Sequence, residues 1–390
     1  MQETGYSVLN RTYRGRLLSF FSAYFYYKTF QYIEYKFSDK LKSMIKNILP
    51  LIIAMIISFL MTPIVRKLAF SIGAIDIPKD SRRVHKKPMP LLGGLAIYIS
   101  VMVCLFIFVT ITKKIMLIII GGSLILISGI IDDWKGLSPR AKITFQIIAA
   151  IILLIGGVRI DFITNPFTEY KSLIYLRYLS IPATIFWLVG ITNTLNLIDG
   201  LDGLAAGIGA ISSLCLMVVA RGFAYDQIVI LSTIVAGACL GFLPYNFNPA
   251  KIFMGDTGSL FLGFMLGAIS IEGVMKSVAT IAIVVPIIIL SIPIFDTSFA
   301  IFRRIKNRQS ISTGDRGHLH HLLLNRAYSQ KKIVLILYVI SIIFGIFAIL
   351  IAVLNTRQGV YISMLVFVIV FVYGLRVGMP GNINGEEDKG

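Results

Sequence analysis

The sequence predicts an all-α polytopic integral membrane protein with about eleven transmembrane helices and an active site on its cytoplasmic face. Three observations lead there. The chain is 56% hydrophobic and 14% charged, with a mean hydropathy of +0.83, whereas a soluble domain carries about a quarter charged residues. Apolar runs recur whose length approaches the roughly 20 residues a helix needs to cross a bilayer. The loops between these runs alternate in character. The first, third, fifth, seventh and ninth loops hold Asp76, Asp80 and His85; Asp132 and Asp133; Asp199 and Asp202; Asp256; and Asp315, His318, His320 and His321. The even loops carry scattered charge, so the acids and histidines share one side of a membrane. Organised acids at a bilayer are costly and mark function.

Taken in chain order, residues 1–45 differ from the rest: they are polar, basic and aromatic. Lys28 interrupts the segment Leu17–Ile33, which suits an interfacial helix better than a span. No continuous apolar core and cleavage site marks a signal peptide. Eight Lys and Arg precede the first span, against the side that loop parity assigns to this end, and Met44 stands immediately before that span. The extension therefore reads as interfacial or as a misassigned start. The spans are expected near 47–65, 93–112, 115–131, 143–157, 179–194, 203–220, 227–245, 258–272, 277–302, 332–353 and 359–375. The ninth holds Pro286, Pro293 and Asp296; proline removes a backbone donor, which predicts a bent or broken helix. The organisation is thus an extension at 1–45, a membrane domain at 46–376 and a polar tail at 377–390.

Charge orients the bundle. The formal net charge is +18, which in a soluble chain would suggest nucleic acid. Here nineteen Lys and Arg sit in the first, third, seventh and ninth loops against eight in the even loops. The positive-inside bias accounts for this, places the odd loops in the cytoplasm of a plasma-membrane protein, and calls for no nucleic acid. Cys104, Cys215 and Cys239 each lie in an apolar run without CxxC spacing, which argues packing rather than metal or disulfide.

Four segments carry chemistry. Asp132 and Asp133 end the third span, followed by Lys135, Arg140 and Lys142; adjacent carboxylates ionise together only beside a cation. A divalent ion or the lysines would supply it, and Mg²⁺ favours one or two carboxylates plus phosphate oxygens. The alternative is a solvated helix end. Asn196, Asp199 and Asp202 recur at every third residue among glycines, a spacing that lets all three face one way on a helical turn. Asn246, Phe253 and Asp256 lie in the approach to the eighth span. Asp256 is there either a helix cap or a charged site residue, and Phe253 either core or a base-stacking ring. Arg316 with His318, His320 and His321 resembles a metal site, but lacks an acidic or Cys ligand at zinc spacing; it suits a diphosphate better. Lys86 lies in a basic flank with His85 before Gly93-Gly94.

Together these motifs resemble the polyprenyl-phosphate N-acetylhexosamine-1-phosphate transferases, relatives of phospho-MurNAc-pentapeptide translocase. Pro-x-x-Gly-Gly, Asp-Asp, Asn-Leu-x-Asp-Gly-Leu-Asp-Gly, Phe-Met-Gly-Asp-x-Gly-Ser and the histidine motif follow in family order across about 46–376. The His-x-His-His form resembles the N-acetylglucosamine-1-phosphate branch. Leu322 stands where relatives often carry Arg. The resemblance implies attack of undecaprenyl phosphate on the β-phosphorus of UDP-GlcNAc or another UDP-HexNAc. UMP leaves, and a lipid-linked diphospho-sugar starts a cell-envelope glycopolymer such as teichoic acid or lipopolysaccharide. It further implies Mg²⁺, with Mn²⁺ a substitute, held at Asp256 and Asn196. Asp132 and Asp133 match the acidic pair, Asp132 being the residue that deprotonates or orients the lipid phosphate. Lys86, Asn196, Asp199, Asp202, Asn246 and Phe253 match nucleotide or substrate positions, with Lys142 beside them. Arg316, His318, His320 and His321 match the sugar and diphosphate region. A phospho-MurNAc-pentapeptide transferase is the near alternative and a secondary transporter the distant one; the latter would place its acids mid-span at broken helices. Oligomeric state stays open, a homodimer included.

Overall fold

The computed structural model describes residues 48–77, 88–164, 173–276, 283–306 and 329–354. The extension, the tail, the span expected at 359–375, Asp80, His85, Lys86, Asp315, Arg316, His318, His320 and His321 lie outside the described residues.

Within them the chain is helical: α1 Ile48–Ile72, α2 Gly93–Phe108, α3 Lys113–Lys135, α4 Pro139–Ile155, α5 Ser180–Ile198, α6 Leu204–Gly222, α7 Asp226–Asn246, α8 Gly255–Ser270, α9 Val284–Ile289, α10 Ser291–Lys306 and α11 Gln330–Leu354. Seven of these stretches are long and apolar enough to cross a membrane. Two antiparallel pairs of short strands and a 3-10 turn at Arg177–Leu179 accompany them. β1 (Ile75–Asp76) pairs with β2 (Met89–Pro90), and β3 (Phe162–Thr164) with β4 (Leu173–Tyr175).

Local chemistry sets the boundaries. Thr112 and Ser138 cap α3 and α4 with their hydroxyls, and Pro139 occupies the first turn of α4, where its missing N–H costs nothing. The expected break in the ninth helix falls at Leu290, between α9 and α10. Pro286 and Pro293 each stand in a first turn, so each begins a helix rather than interrupting one. Several boundaries differ from expectation. α1 runs on to Ile72, α2 stops at Phe108, α3 runs on to Lys135, α4 starts at Pro139, α5 runs on to Ile198, and α8 starts at Gly255 and passes into a π-helical turn at Ile271–Met275.

The bundle is organised around α8, which α2, α3, α5, α6 and α7 enclose. Every residue of its apolar window is buried. Such enclosure demands close backbone approach. A Cβ on Gly94 would overlap the backbone of Gly258, and one on Gly129 would overlap the backbone at Asp256 and Thr257. Large apolar side chains on the outer helices, among them Phe59, Phe106, Phe186 and Val353, are exposed, as lipid-facing positions require. The C-terminal ends of α3, α5 and α7 meet the N-terminal ends of α8 and α11 around one cavity.

Gly129→Ala should destabilise the fold by at least about 1–3 kcal/mol, since the added methyl meets backbone that cannot yield. Gly190→Ala, at a helical position with open space around its Cβ, should be neutral or mildly stabilising. Thermal aggregation midpoints in detergent would check the contrast, and equal midpoints would remove the close-approach explanation.

Candidate active site

α3 ends in Asp132-Asp133, and the two carboxylates diverge. Asp133 reaches the start of α8, where its Oδ1 accepts the Asp256 N–H at 2.9 Å. Its Oδ2 accepts the Thr257 N–H at 2.9 Å and the Thr257 hydroxyl at 2.6 Å. A carboxylate against free N–H groups at a helix N-terminus is favourable both as a cap and against the helix dipole. Gly255 makes this approach possible. Its φ of +69° is left-handed, and a Cβ there would strike the Asp133 carboxylate and Leu91 O.

This decides the question about Asp256. The cap of α8 comes from Asp133 on another helix, and the residue preceding α8, Met254, makes no side-chain cap. Asp256 can thereby face its neighbours. Its Oδ1 accepts from Asn196 Nδ2 at 2.9 Å, and its Oδ2 from Lys142 Nζ at 2.6 Å. Lys142 also donates to Asp132 Oδ2 at 2.7 Å, while Asp132 Oδ1 accepts the Leu137 N–H at 2.6 Å. One ammonium thus bridges two carboxylates. Asp132, Asp133 and Asp256 each offer an oxygen within 4.8 Å of the others. An all-oxygen donor set of this kind fits a hard divalent cation. Asn196 turns its amide nitrogen to Asp256 and to Ser259 Oγ, also at 2.9 Å, so in this arrangement it orients the carboxylate.

Beside this cluster lies a cavity of about 540 Å³. Asp133, Asn196, Asp199, Asp202, Asn246, Phe253 and Asp256 line it, as do Asp76 and Gln330. The expected helical turn carrying Asn196, Asp199 and Asp202 is not formed. α5 ends at Ile198, Asp199 is its C-cap, and Gly203 at φ +82° carries the chain into α6. The three still converge, because the turn folds back along the cavity. Asp202 Oδ2 accepts from Asn248 Nδ2 at 3.0 Å and from the Ala250 N–H at 3.1 Å, so it holds the loop before α8. Burial, then the charges of Asp256, Asp133 and Asp202, pushes the Asp199 carboxyl well above the ordinary carboxylate range. It consequently gives up its proton less readily than a solvent-exposed carboxyl does. Asn246 is buried, and its Nδ2 donates to Ile252 O at 3.1 Å.

The glycines ahead of α2 tie two backbone segments together. Gly93 N–H donates to Phe253 O at 3.0 Å and Gly94 N–H to Met254 O at 2.9 Å. These bonds seat the Phe253 segment in the cavity wall. Sequence reasoning missed Asn248 and Gln330 as members of that wall, and Asp133 as the cap of α8. Asn248 stands in the same approach to α8 as Asn246 and Phe253, whereas no spacing signal marks Gln330.

Asp133→Asn should lower stability by about 1–3 kcal/mol, because an amide NH₂ would face the donors that the carboxylate now accepts. Thr257→Val should cost less, losing one of the three bonds. Melting midpoints of both variants would show the order, and an unshifted midpoint for Asp133→Asn would remove the cap.

Residues 115–274, from α3 through α8, match the family described as Glycosyl transferase family 4. The chain is 43% identical over 332 residues to the probable undecaprenyl-phosphate N-acetylglucosaminyl 1-phosphate transferase of Bacillus subtilis (strain 168), covering 85% of this chain and 90% of that one. It is 37% identical to the decaprenyl-phosphate N-acetylglucosaminephosphotransferase of Mycolicibacterium smegmatis, over 73% of this chain and 77% of the relative. It is 32% identical to the phospho-N-acetylmuramoyl-pentapeptide-transferase of Halalkalibacterium halodurans, over 77% and 95%.

Proposed function

The chain belongs to glycosyl transferase family 4, and from that premise we propose that it transfers GlcNAc-1-phosphate from UDP-GlcNAc to undecaprenyl phosphate. UMP is released, and undecaprenyl-diphospho-GlcNAc is the first membrane-bound intermediate of a cell-envelope glycopolymer. The observation that carries this reading is the junction of Asp132, Lys142, Asp256 and Asn196 at the edge of the cavity. Phosphoryl transfer asks a protein for alignment and charge neutralisation more than for covalent chemistry; this junction offers fixed oxygen ligands for the first, and the cation they would hold would supply the second.

In this reading the nucleotide lies in the cavity between Phe253, Asn246, Asp199 and Asp202. Phe253 offers a ring face to the base. The Asp199 carboxyl and the buried Asn246 amide offer directional polar contacts. Asp132 is pinned by the Leu137 N–H and by Lys142. It stands at the end of α3, where a lipid phosphate at the membrane surface would arrive. Asp132 orients that phosphate and can accept its remaining proton. Lys142 balances the carboxylates and offers positive charge to the diphosphate. Mg²⁺, held by Asp256 with Asp132, would neutralise charge on the donor diphosphate. Asn196 and Lys142 fix the Asp256 carboxylate for that purpose, while Asp133 takes the α8 backbone and so fixes where Asp256 starts. Lys86, Arg316, His318, His320 and His321 complete the donor side in this proposal.

Two features support the GlcNAc branch over the MurNAc-pentapeptide branch: the higher identity to the Bacillus subtilis relative and the His318-x-His320-His321 spacing. The cavity acids Asp133, Asp199, Asp202 and Asp256 sit at helix ends and not at mid-span, which speaks against a transporter. The proposed topology has eleven spans with the cavity facing the cytoplasm.

Purified protein should release UMP from UDP-GlcNAc only with undecaprenyl phosphate and a divalent cation; no release under those conditions would overturn the assignment. Asp256→Asn should lower the rate by about 10²–10³-fold and weaken the dependence on Mg²⁺ concentration. Its melting midpoint should stay near wild type, because Asp133 and not Asp256 caps α8. Cysteine reporters within 132–142 and 303–331 should label from the cytosolic side, and reporters within 160–176 from outside. Labelling of both sets from one side would refute the topology.

A further inference from the structure

One polar side chain in the cavity wall belongs to none of the acidic or histidine motifs. Gln330, the first residue of α11, lines the cavity with Asp199, Asp202, Asn248 and Pro249. Its Oε1 accepts from Asn248 Nδ2 at 2.9 Å, and the same Nδ2 donates to Asp202 Oδ2 at 3.0 Å. A side-chain amide has two hydrogens, and these two bonds use both. A single amide therefore ties together the turn after α5, the loop before α8 and the start of α11. The same helix holds that turn again, with Tyr338 Oη donating to Gly203 O at 2.5 Å. Lys331 lies over the Phe247 ring, 5.9 Å from its centroid, one residue from Asn248.

Asp202 is what the relay controls. Its Oδ2 takes both the Asn248 amide and the Ala250 N–H, so the carboxylate and the 248–250 segment set one wall of the cavity together. Without an acceptor at position 330, one Asn248 hydrogen loses its partner. The amide can then swing off Asp202, and the wall loses its fixed geometry.

We propose that Gln330 is a positioning residue for the nucleotide-sugar donor, acting through Asn248 on Asp202; this rests on the transferase reading. The relay requires an acceptor at position 330 and nothing more. Gln330→Met keeps the length and apolar stem but removes the acceptor, and Gln330→Glu keeps the acceptor. Losing one hydrogen bond in a charged network corresponds to about tenfold in binding.

The test is steady-state UMP release against UDP-GlcNAc concentration for wild type, Gln330→Met, Gln330→Glu, Asn248→Ala and Gln330→Met/Asn248→Ala. Gln330→Met should raise KM for the donor about tenfold, with kcat and KM for the lipid within about threefold of wild type. Gln330→Glu should return the donor KM to within about threefold. The double variant should be no worse than the more severe single one, as groups acting in one chain require. A packing role predicts the reverse order, with Met tolerated and Glu damaging, and that result overturns the proposal. So does an unchanged KM for Gln330→Met, or additive effects in the double variant. Wild type in the same assay separates the two readings. Wild type without UMP release brings down the transferase reading and the relay with it, whereas active wild type beside an unaffected Gln330→Met brings down the relay alone.

Discussion

Three carboxylates within a few ångströms at the end of a buried helix repel one another, and the site is built around answering that repulsion. Asp132, Asp133 and Asp256 place oxygens within 4.8 Å. Each is answered differently. Asp133 takes the backbone N–H groups at the start of α8, a partial positive charge that cannot move away. Asp132 and Asp256 share the Lys142 ammonium. A helix end, a cation and an amide together make the acids tolerable where water is scarce.

That arrangement requires α8 to begin at a fixed depth and angle. The packing around it enforces both. Gly94 and Gly129 let α2 and α3 press against the α8 backbone near its first turn, and bulkier residues would hold them off. The Phe253–Met254 segment is bonded to the Gly93 and Gly94 N–H groups, so the approach to α8 is fixed from the α2 side as well. Gly94 of the Pro-x-x-Gly-Gly motif serves here as a contact surface between backbones. Catalytic geometry in this fold therefore rests on apolar close packing as much as on polar contacts, and the two meet at one helical turn.

The cavity draws its walls from segments far apart in the chain. Asp76 comes from β1, Asp199 and Asp202 from the turn after α5, Asn246 and Phe253 from the approach to α8, and Gln330 from α11. Antiparallel helices make this possible, since alternate connections return to the same end of the bundle. The family match from α3 through α8 covers the carboxylates and Lys142, while α11, which holds Gln330 and Tyr338, lies beyond it. The charged junction and most of the cavity wall thus share one stretch of the chain, and Gln330 joins that wall from beyond it.

Composition and hydropathy were enough to determine a helical membrane bundle, because a segment crossing lipid must satisfy its own backbone and display apolar side chains, and both demands are local. The motifs named residues that the fold gathers, since Asp132, Asp133, Asn196, Asp199, Asp202, Asn246, Phe253 and Asp256 all reach or adjoin the cavity, but the helical turn that their spacing suggested for Asn196, Asp199 and Asp202 is not formed. The break in the ninth helix followed from two prolines. Partnership was not legible. Sequence could not tell that Asp133 caps a helix begun more than a hundred residues later, leaving Asp256 to face Asn196 and Lys142. Nor could it tell that Lys142 chooses Asp132 and Asp256 among the available acids, or that Gln330 joins the wall through Asn248. A residue's type fixes which bonds it can make. Which bond it does make depends on the neighbours that tertiary packing brings within about 3 Å, and those neighbours come from elsewhere in the chain.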